Sequence, residues 1–160
     1  MTTPKTDREN AQRVIAENRK ARHDYHILET WEAGLALLGT EVKSIREGRV
    51  NLRDSYARVQ NGEVWMMNVH ISPYSHRGSS DHAELRRRKL LLHAHEIRKM
   101  VGQTAEKGFT LVPLELYLKN GRVKVRLGLA KGKQAHDKRE TIRRREVDRE
   151  TRAAVKSRSR

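Results

Sequence analysis

Eight histidines and several carboxylates are the first groups in this sequence that could do chemistry. His93 and His95, beside Glu96, form the densest set of potential metal ligands. On a helix each residue turns about 100°, so residues two apart point about 200° apart and cannot share one ion there. No strong ligand spacing occurs elsewhere, and ordinary surface histidines are the simpler account. Glu29, Glu32, Glu41 and Asp54 are the carboxylates that a Mg²⁺-dependent nuclease would have to bring together, with ordinary solvated carboxylates as the alternative. The segment Gly128-Leu-Ala-Lys-Gly-Lys133 imitates a phosphate loop, but that motif needs four residues between its glycines and Ser or Thr after its lysine. Here three residues intervene and Gln134 follows. The chain has no cysteine, which excludes disulfides and thiolate sites, and it has no Gly-x-Ser-x-Gly elbow. No catalysis, metal or cofactor is expected.

Binding chemistry is better supplied. Arg122, Lys124 and Arg126 alternate along one segment, so a strand would carry all three on one sheet face. A solvated face is the bland account of that pattern. The Arg86-Arg-Arg-Lys89 run and the charge balance weigh against it: 35 Lys plus Arg face 20 Asp plus Glu among 160 residues, a net charge of +15. A surface this basic gains affinity for nucleic acid by releasing counterions from phosphates, while an anionic membrane surface is a weaker match. Of the seven aromatic residues none lies in the basic stretches, so serial base stacking is poorly supplied. Recognition of a folded RNA through shape and phosphates fits better.

The elements must place those cations. Residues 131–160 hold 12 Lys or Arg and 5 Asp or Glu, about four times the charge density of residues 1–130. They form a basic tail, disordered when free because little apolar surface offsets the entropy of ordering. Residues 1–130 form the folded domain, with 1–18 partly flexible and Val14 and Ile15 able to anchor a short helix. From Tyr25 to Leu37 apolar and polar residues alternate as in a strand, interrupted on the apolar side by Glu29. A brief helix, Glu41 to Glu47, is expected after a Thr40 cap. Asn61-Gly62 and Asn120-Gly121 each sit between alternating segments and mark two tight hairpins. Leu90, Ala94, Ile97 and Val101 fall at helical spacing before Gly102, predicting a helix over 90–101. The fold expected is mainly β, a small closed antiparallel barrel of the oligonucleotide-binding type with short helices; an SH3-like barrel is the alternative. There is no apolar run long enough to span a membrane and no secretory leader pattern, so a cytoplasmic protein is expected.

Several segments, in order along the chain, resemble the SsrA-binding protein (SmpB) family. They are Asn18-Arg-Lys-Ala-Arg-His-Asp-Tyr25, Glu32-Ala-Gly-Leu-Ala-Leu37, Gly39-Thr-Glu-Val-Lys-Ser44, Asp54-Ser-Tyr56, Arg88-Lys-Leu-Leu-Leu92, Gly128-Leu-Ala-Lys-Gly-Lys133 and His136-Asp-Lys-Arg139. The resemblance implies a bacterial RNA-binding adapter, not an enzyme. Such a protein binds the tRNA-like domain of transfer-messenger RNA (tmRNA) and delivers it to stalled ribosomes for trans-translation, in company with elongation factor Tu. It implies RNA contacts at Asn18, Glu32, Leu91 and Lys124, with Lys20, Arg22, Lys43, Arg88, Lys89, Arg122 and Arg126 as further cations. Leu91 could equally be helix core, and Asn18 a cap or turn residue. The family's tail enters the decoding site and the empty mRNA channel. Lys131, Gly132, Lys133, His136, Asp137, Lys138 and Arg139 match that stretch, and Lys138, Arg145, Arg149, Arg152 and Lys156 would share one face of a helix. Gln134 and Val147 depart from the family pattern. The main rival from another class is a basic structural ribosomal protein.

Overall fold

Both Asn-Gly pairs make the turns their spacing predicts. Asn61 (φ 52°) with Gly62 (φ 74°) and Asn120 (φ 54°) with Gly121 (φ 75°) take positive φ at both turn positions, the geometry that matches strand twist in a two-residue hairpin. The computed structural model describes residues 12–74, 81–133 and 135–158, with side chains over 12–74, 81–133 and 142–153. Nine strands and four helices follow in chain order within these residues. They are β1 (Gln12–Glu17), α1 (Arg19–Asp24), β2 (Tyr25–Leu35), α2 (Gly39–Arg46), β3 (Val50–Asn51), β4 (Tyr56–Gln60) and β5 (Glu63–Met67). Then come β6 (His70–Ile71), β7 (Arg88–Leu91), α3 (Ala94–Thr104), β8 (Phe109–Lys119), β9 (Arg122–Gly132) and α4 (Ala135–Arg158).

The pairings return on themselves. The main sheet runs β1-β8-β4-β5-β7-β2-β9, and β8 pairs with β9 as well, so every strand of that sheet but β1 belongs to a closed antiparallel ring, while β3 and β6 pair separately. This is the closed barrel expected. Inside it pack Trp31, Ala33, Val64, Met66, Leu90, Leu116, Val125 and Leu127, all buried. The ends of β8 and β9 are buried on their other face too. A bulge between Pro113 and Glu115 turns Leu114 away from Leu116, into a second cluster with Ala21, Val112 and Ala130 beneath α1. A single aliphatic row Leu114–Leu116–Leu118 therefore does not exist. Gly128 belongs to this cluster: a Cβ there would stand 2.8 Å from Leu114 Cδ1. The apparent phosphate loop is thus the straight end of β9, and its first glycine makes room for a leucine.

Four other expectations are corrected. Val14 and Ile15 lie in a strand paired with β8, not in a helix. The cap of α2 is Leu38, whose N–H donates to Glu41 Oε1 at 2.9 Å, and Thr40 lies inside the helix. The segment 90–101 is divided: Leu90 and Leu91 are strand, the helix starts at Ala94, and Gly102 lies within it. The barrel also runs two residues past its expected boundary, since Lys131 and Gly132 pair with His26 and Tyr25. Beyond it, residues 135–158 are helical, and every side chain described there, over 142–153, is exposed. Among the described side chains of α4 none is buried against the barrel. Residues 1–11, Gln134 and the side chains of His136, Asp137, Lys138, Arg139 and Lys156 lie outside the described residues.

Candidate nucleic-acid interface

Three of the four residues implied by the resemblance meet on the outside of β9, β2 and β7. Gly34 of β2 stands opposite Lys124 of β9 on one side and Leu91 of β7 on the other. A Cβ on Gly34 would lie 3.3 Å from Leu91 Cβ and 3.7 Å from Lys124 Nζ, so the absent side chain lets leucine and ammonium approach one another. Leu91 is 52% exposed, which removes the helix-core account of it. Glu32 lies two residues back on the same strand face, and Glu32, Gly34, Leu91 and Lys124 line one cleft of about 790 Å³, which Lys89, Glu96 and Ile97 also line.

Glu32 is held as an anion with a fixed direction. Tyr117 Oη donates to it at 2.6 Å and Lys119 Nζ approaches at 3.3 Å. The tyrosine hydrogen bond holds the Glu32 carboxyl below its ordinary pKa against partial burial, with help from Lys119 and Lys124. Burial and the Glu32 bond together push the Tyr117 hydroxyl far up, so it remains a donor throughout the working pH range. A carboxylate so placed can accept base-edge or 2′-hydroxyl hydrogen bonds, while Lys124 offers a charge to phosphate. Beside them Arg126 donates to Glu115 at 2.9 Å and lies 5.5 Å from the Tyr117 ring centre, which fixes its guanidinium. Arg122 is exposed near the turn.

Asn18 stands apart from this cleft. It is 3% exposed, its amide donates to Leu52 O (3.1 Å) and Pro113 O (2.9 Å), and its carbonyl accepts from Ala21 N–H (3.1 Å). It ties α1 to the barrel, the structural account of it that the sequence allowed. Lys20 and Arg22, on the exposed side of that helix, are the cations it presents, and Lys20 is paired with Asp54 at 2.6 Å. Lys43 is exposed on α2, 5.3 Å from the Tyr74 ring centre.

Arg88 is corrected outright. Its side chain has no exposed surface; Nε donates to Glu41 Oε2 at 2.6 Å, Nη1 to Val69 O at 2.5 Å and Nη2 to Glu84 O at 3.1 Å. It cannot reach a phosphate. Arg86 donates to the same Glu41 carboxylate. Burial opposes the Glu41 charge, but Arg86, the Leu38 N–H and Arg88 outweigh it and hold the carboxyl below its ordinary range. Glu41 is therefore a buried ion-pair partner, not a solvated carboxylate. The four cations at 86–89 are divided among three tasks: Arg86 and Arg88 to Glu41, Lys89 to Glu63 at 3.0 Å, and Arg87 over the Trp65 ring at 4.3 Å.

The carboxylates proposed for a nuclease do not converge. Glu29 binds Lys99 (2.6 Å) and Gln103 (3.0 Å), fastening α3 to β2, while Glu32, Glu41 and Asp54 face Tyr117, Arg88 and Lys20. His93 is the residue before α3 rather than part of it, so the helical separation of the histidines does not apply, and the His93 and His95 rings stack with centres 5.6 Å apart. On α4, Arg145, Asp148, Arg149 and Arg152 border one shallow recess; the arginine stripe was legible in the sequence, the acid within it was not singled out.

Comparison with known proteins accords with this layout. The family model described as SmpB protein matches residues 15–157. An SsrA-binding protein of Thermosynechococcus vestitus is 63% identical over 147 residues, 91% of this chain and 97% of that one. Another, of Geobacillus thermodenitrificans, is 60% identical over 146 residues, 91% of this chain and 94% of that one. A chain of the solved structure "tmRNA-SmpB: a journey to the center of the bacterial ribosome" superposes with a TM-score of 0.65 at 51% identity, covering 81% of this chain and 94% of that chain. The match begins in β1, passes through the Glu32, Leu91 and Lys124 cleft and continues into α4: the chain belongs to the SsrA-binding protein (SmpB) family.

Proposed function

We propose that this protein is the adapter that binds the tRNA-like domain of tmRNA and brings it to stalled ribosomes for trans-translation. The observation that carries the reading is the meeting of Glu32, Leu91 and Lys124 around Gly34 in a chain of this family. The cleft offers an oriented acceptor on β2 with an apolar contact on the strand to one side and a cation on the strand to the other, a set suited to the 2′-hydroxyls, bases and phosphates of a folded RNA. It is a binding factor and not an enzyme on this reading. A structural ribosomal protein is disfavoured by the family. Lys20, Arg22, Lys43, Lys89, Arg122 and Arg126 add electrostatic attraction from neighbouring faces.

The C-terminal helix carries the second half of the task. Arg145, Arg149 and Arg152 present a cationic stripe that would gain counterion-release energy along the phosphates of an empty mRNA channel, and Lys138 and Lys156 continue its spacing. Lys131, Gly132, Lys133, His136, Asp137 and Arg139 would lie at the decoding site, with elongation factor Tu accompanying delivery. The test is to sequence the RNA that co-purifies with the protein: one small RNA with a tRNA-like domain is expected. Retention of stoichiometric amounts on all ribosomes through a high-salt wash, with no such RNA, would instead establish a structural ribosomal protein.

A further inference from the structure

We infer that the outer face of β4, β5 and β7 is a stacking platform for an unpaired nucleotide of the same RNA, built on Trp65 and Arg87. This rests on the reading that the Glu32–Lys124 cleft binds the tRNA-like RNA. The strand register places Arg58, Trp65 and Lys89 side by side across three strands, on the face opposite Val64 and Leu90, which point into the core. Arg87, from the segment leading into β7, lays its guanidinium over the Trp65 ring at 4.3 Å and is itself exposed. Guanidinium planes stack on aromatic rings below and on bases above, while their edges donate to phosphate. The Trp65–Arg87 pair is therefore a preorganised half of a ring–guanidinium–base stack.

Two further features fix the occupant. Arg58, Arg87 and Lys89 surround the indole, against which stands Glu63, already paired with Lys89 at 3.0 Å, so the patch retains a positive excess suited to a polyanion. The patch is also continuous with the cleft, because Lys89 and Glu63 line both. An RNA seated on Glu32 and Lys124 would meet the platform without a second docking event. The aromatic residue missing from the basic stretches in sequence is supplied by the fold: Trp65 arrives from β5, 22 positions before Arg87.

The experiment uses the full chain and its tRNA-like RNA, comparing wild type with Arg87→Lys, Trp65→Leu, both together, and Lys124→Ala, with thermal melts of each. Arg87→Lys keeps the charge and loses the planar stack; it should weaken binding by at least about fivefold, the lower end for losing one base stack. Trp65→Leu should weaken binding similarly, and the double variant should be no worse than the poorer single one, because the two residues act as one unit. Wild-type affinity for Arg87→Lys, or additive losses, overturns the platform. If Lys124→Ala weakens binding and the other two do not, the cleft stands and the platform falls; if none does, both fall. Unchanged affinity for the isolated RNA with weakened binding to ribosomes would assign the face to a ribosomal partner and overturn the inference.

Discussion

The Tyr117 hydroxyl, from a ring with no exposed surface, donates a 2.6 Å hydrogen bond to the partly exposed Glu32 carboxylate. A buried side chain thus sets the direction of one that lines the Gly34 cleft. Tyr117→Phe should leave the fold intact, lower stability by about 1 kcal/mol, and let the Glu32 pKa rise toward its ordinary value. The stability figure lies below the roughly 1.5–3 kcal/mol of a bond to a charged group because a third of the Glu32 side chain faces water (34% exposed). Carboxylate titration by NMR checks the pKa, and RNA binding should weaken in parallel with that of Glu32→Gln. An unmoved Glu32 titration would show that Lys119 and Lys124 suffice.

Lys124→Ala should weaken RNA binding and flatten the salt dependence by about one unit if it neutralises one phosphate. Gly34→Ala reaches the same site without touching a charge. Its new methyl group would sit 3.3 Å from Leu91 Cβ, so Leu91 or Lys124 must give way, and binding should fall while the salt slope stays as in wild type. Salt titrations of both variants separate charge from shape.

The buried Glu41–Arg88 pair makes an acid-sensitive joint between α2 and β7. Glu41→Gln leaves the Arg88 charge without its counterion and should cost about 3–5 kcal/mol in urea melts, the range for breaking a buried pair from one side. Because the folded-state pKa of Glu41 is lowered, its contribution is present above the ordinary carboxylate range, near 4.3, and is lost as pH falls through the folded value. Wild type should lose stability more steeply than Glu41→Gln on acidification. Parallel pH–stability curves would place the stabilisation elsewhere.

Removal of α4 should separate capture from rescue. The cut belongs after Lys133, since Lys131 pairs with both His26 and Phe109 and the Lys133 N–H donates to Asp24 O at 2.9 Å. The truncated protein should bind RNA near normally and fail to support transfer of alanine to the stalled peptide. Full tagging activity by that protein on ribosomes with an empty channel would remove the helix from the proposal.

What the sequence disclosed was local. The hairpins were legible because Asn61-Gly62 and Asn120-Gly121 have one favourable backbone solution, and β2 because its alternation marks a strand, although the bulge near Leu28 sends Tyr25 and Ile27 to the second cluster and Trp31 and Ala33 into the barrel. The segment 90–101 misled because Leu90 in the barrel and Ile97 on α3 both face the core at a spacing that happens to fit one helix. The roles within 86–89 were hidden, since Glu41 and Trp65 lie 47 and 22 residues from their arginine partners and only the closed sheet brings them together. Four adjacent cations in sequence read as one patch; alternation across a strand sends Arg88 inward and Lys89 outward. The cleft was legible only through resemblance, because nothing in the spacing of Glu32, Leu91 and Lys124 requires them to meet.

The ring of strands is not equally bonded around its circumference. Long ladders join β8 to β9 and β2 to β9, whereas β4 meets β8 through the single pair Ala57↔Leu111, beside a cleft lined by Val59, Val101 and Phe109. The barrel is therefore a band with a clasp. Amide exchange should be fastest among ladder residues at that seam, since parting it breaks the fewest backbone hydrogen bonds, while the β2–β9–β8 side remains closed. The Gly34 cleft is built across β7, β2 and β9, so parting the clasp loosens the β4 edge that carries Arg58 while the ladders under Gly34 stay paired.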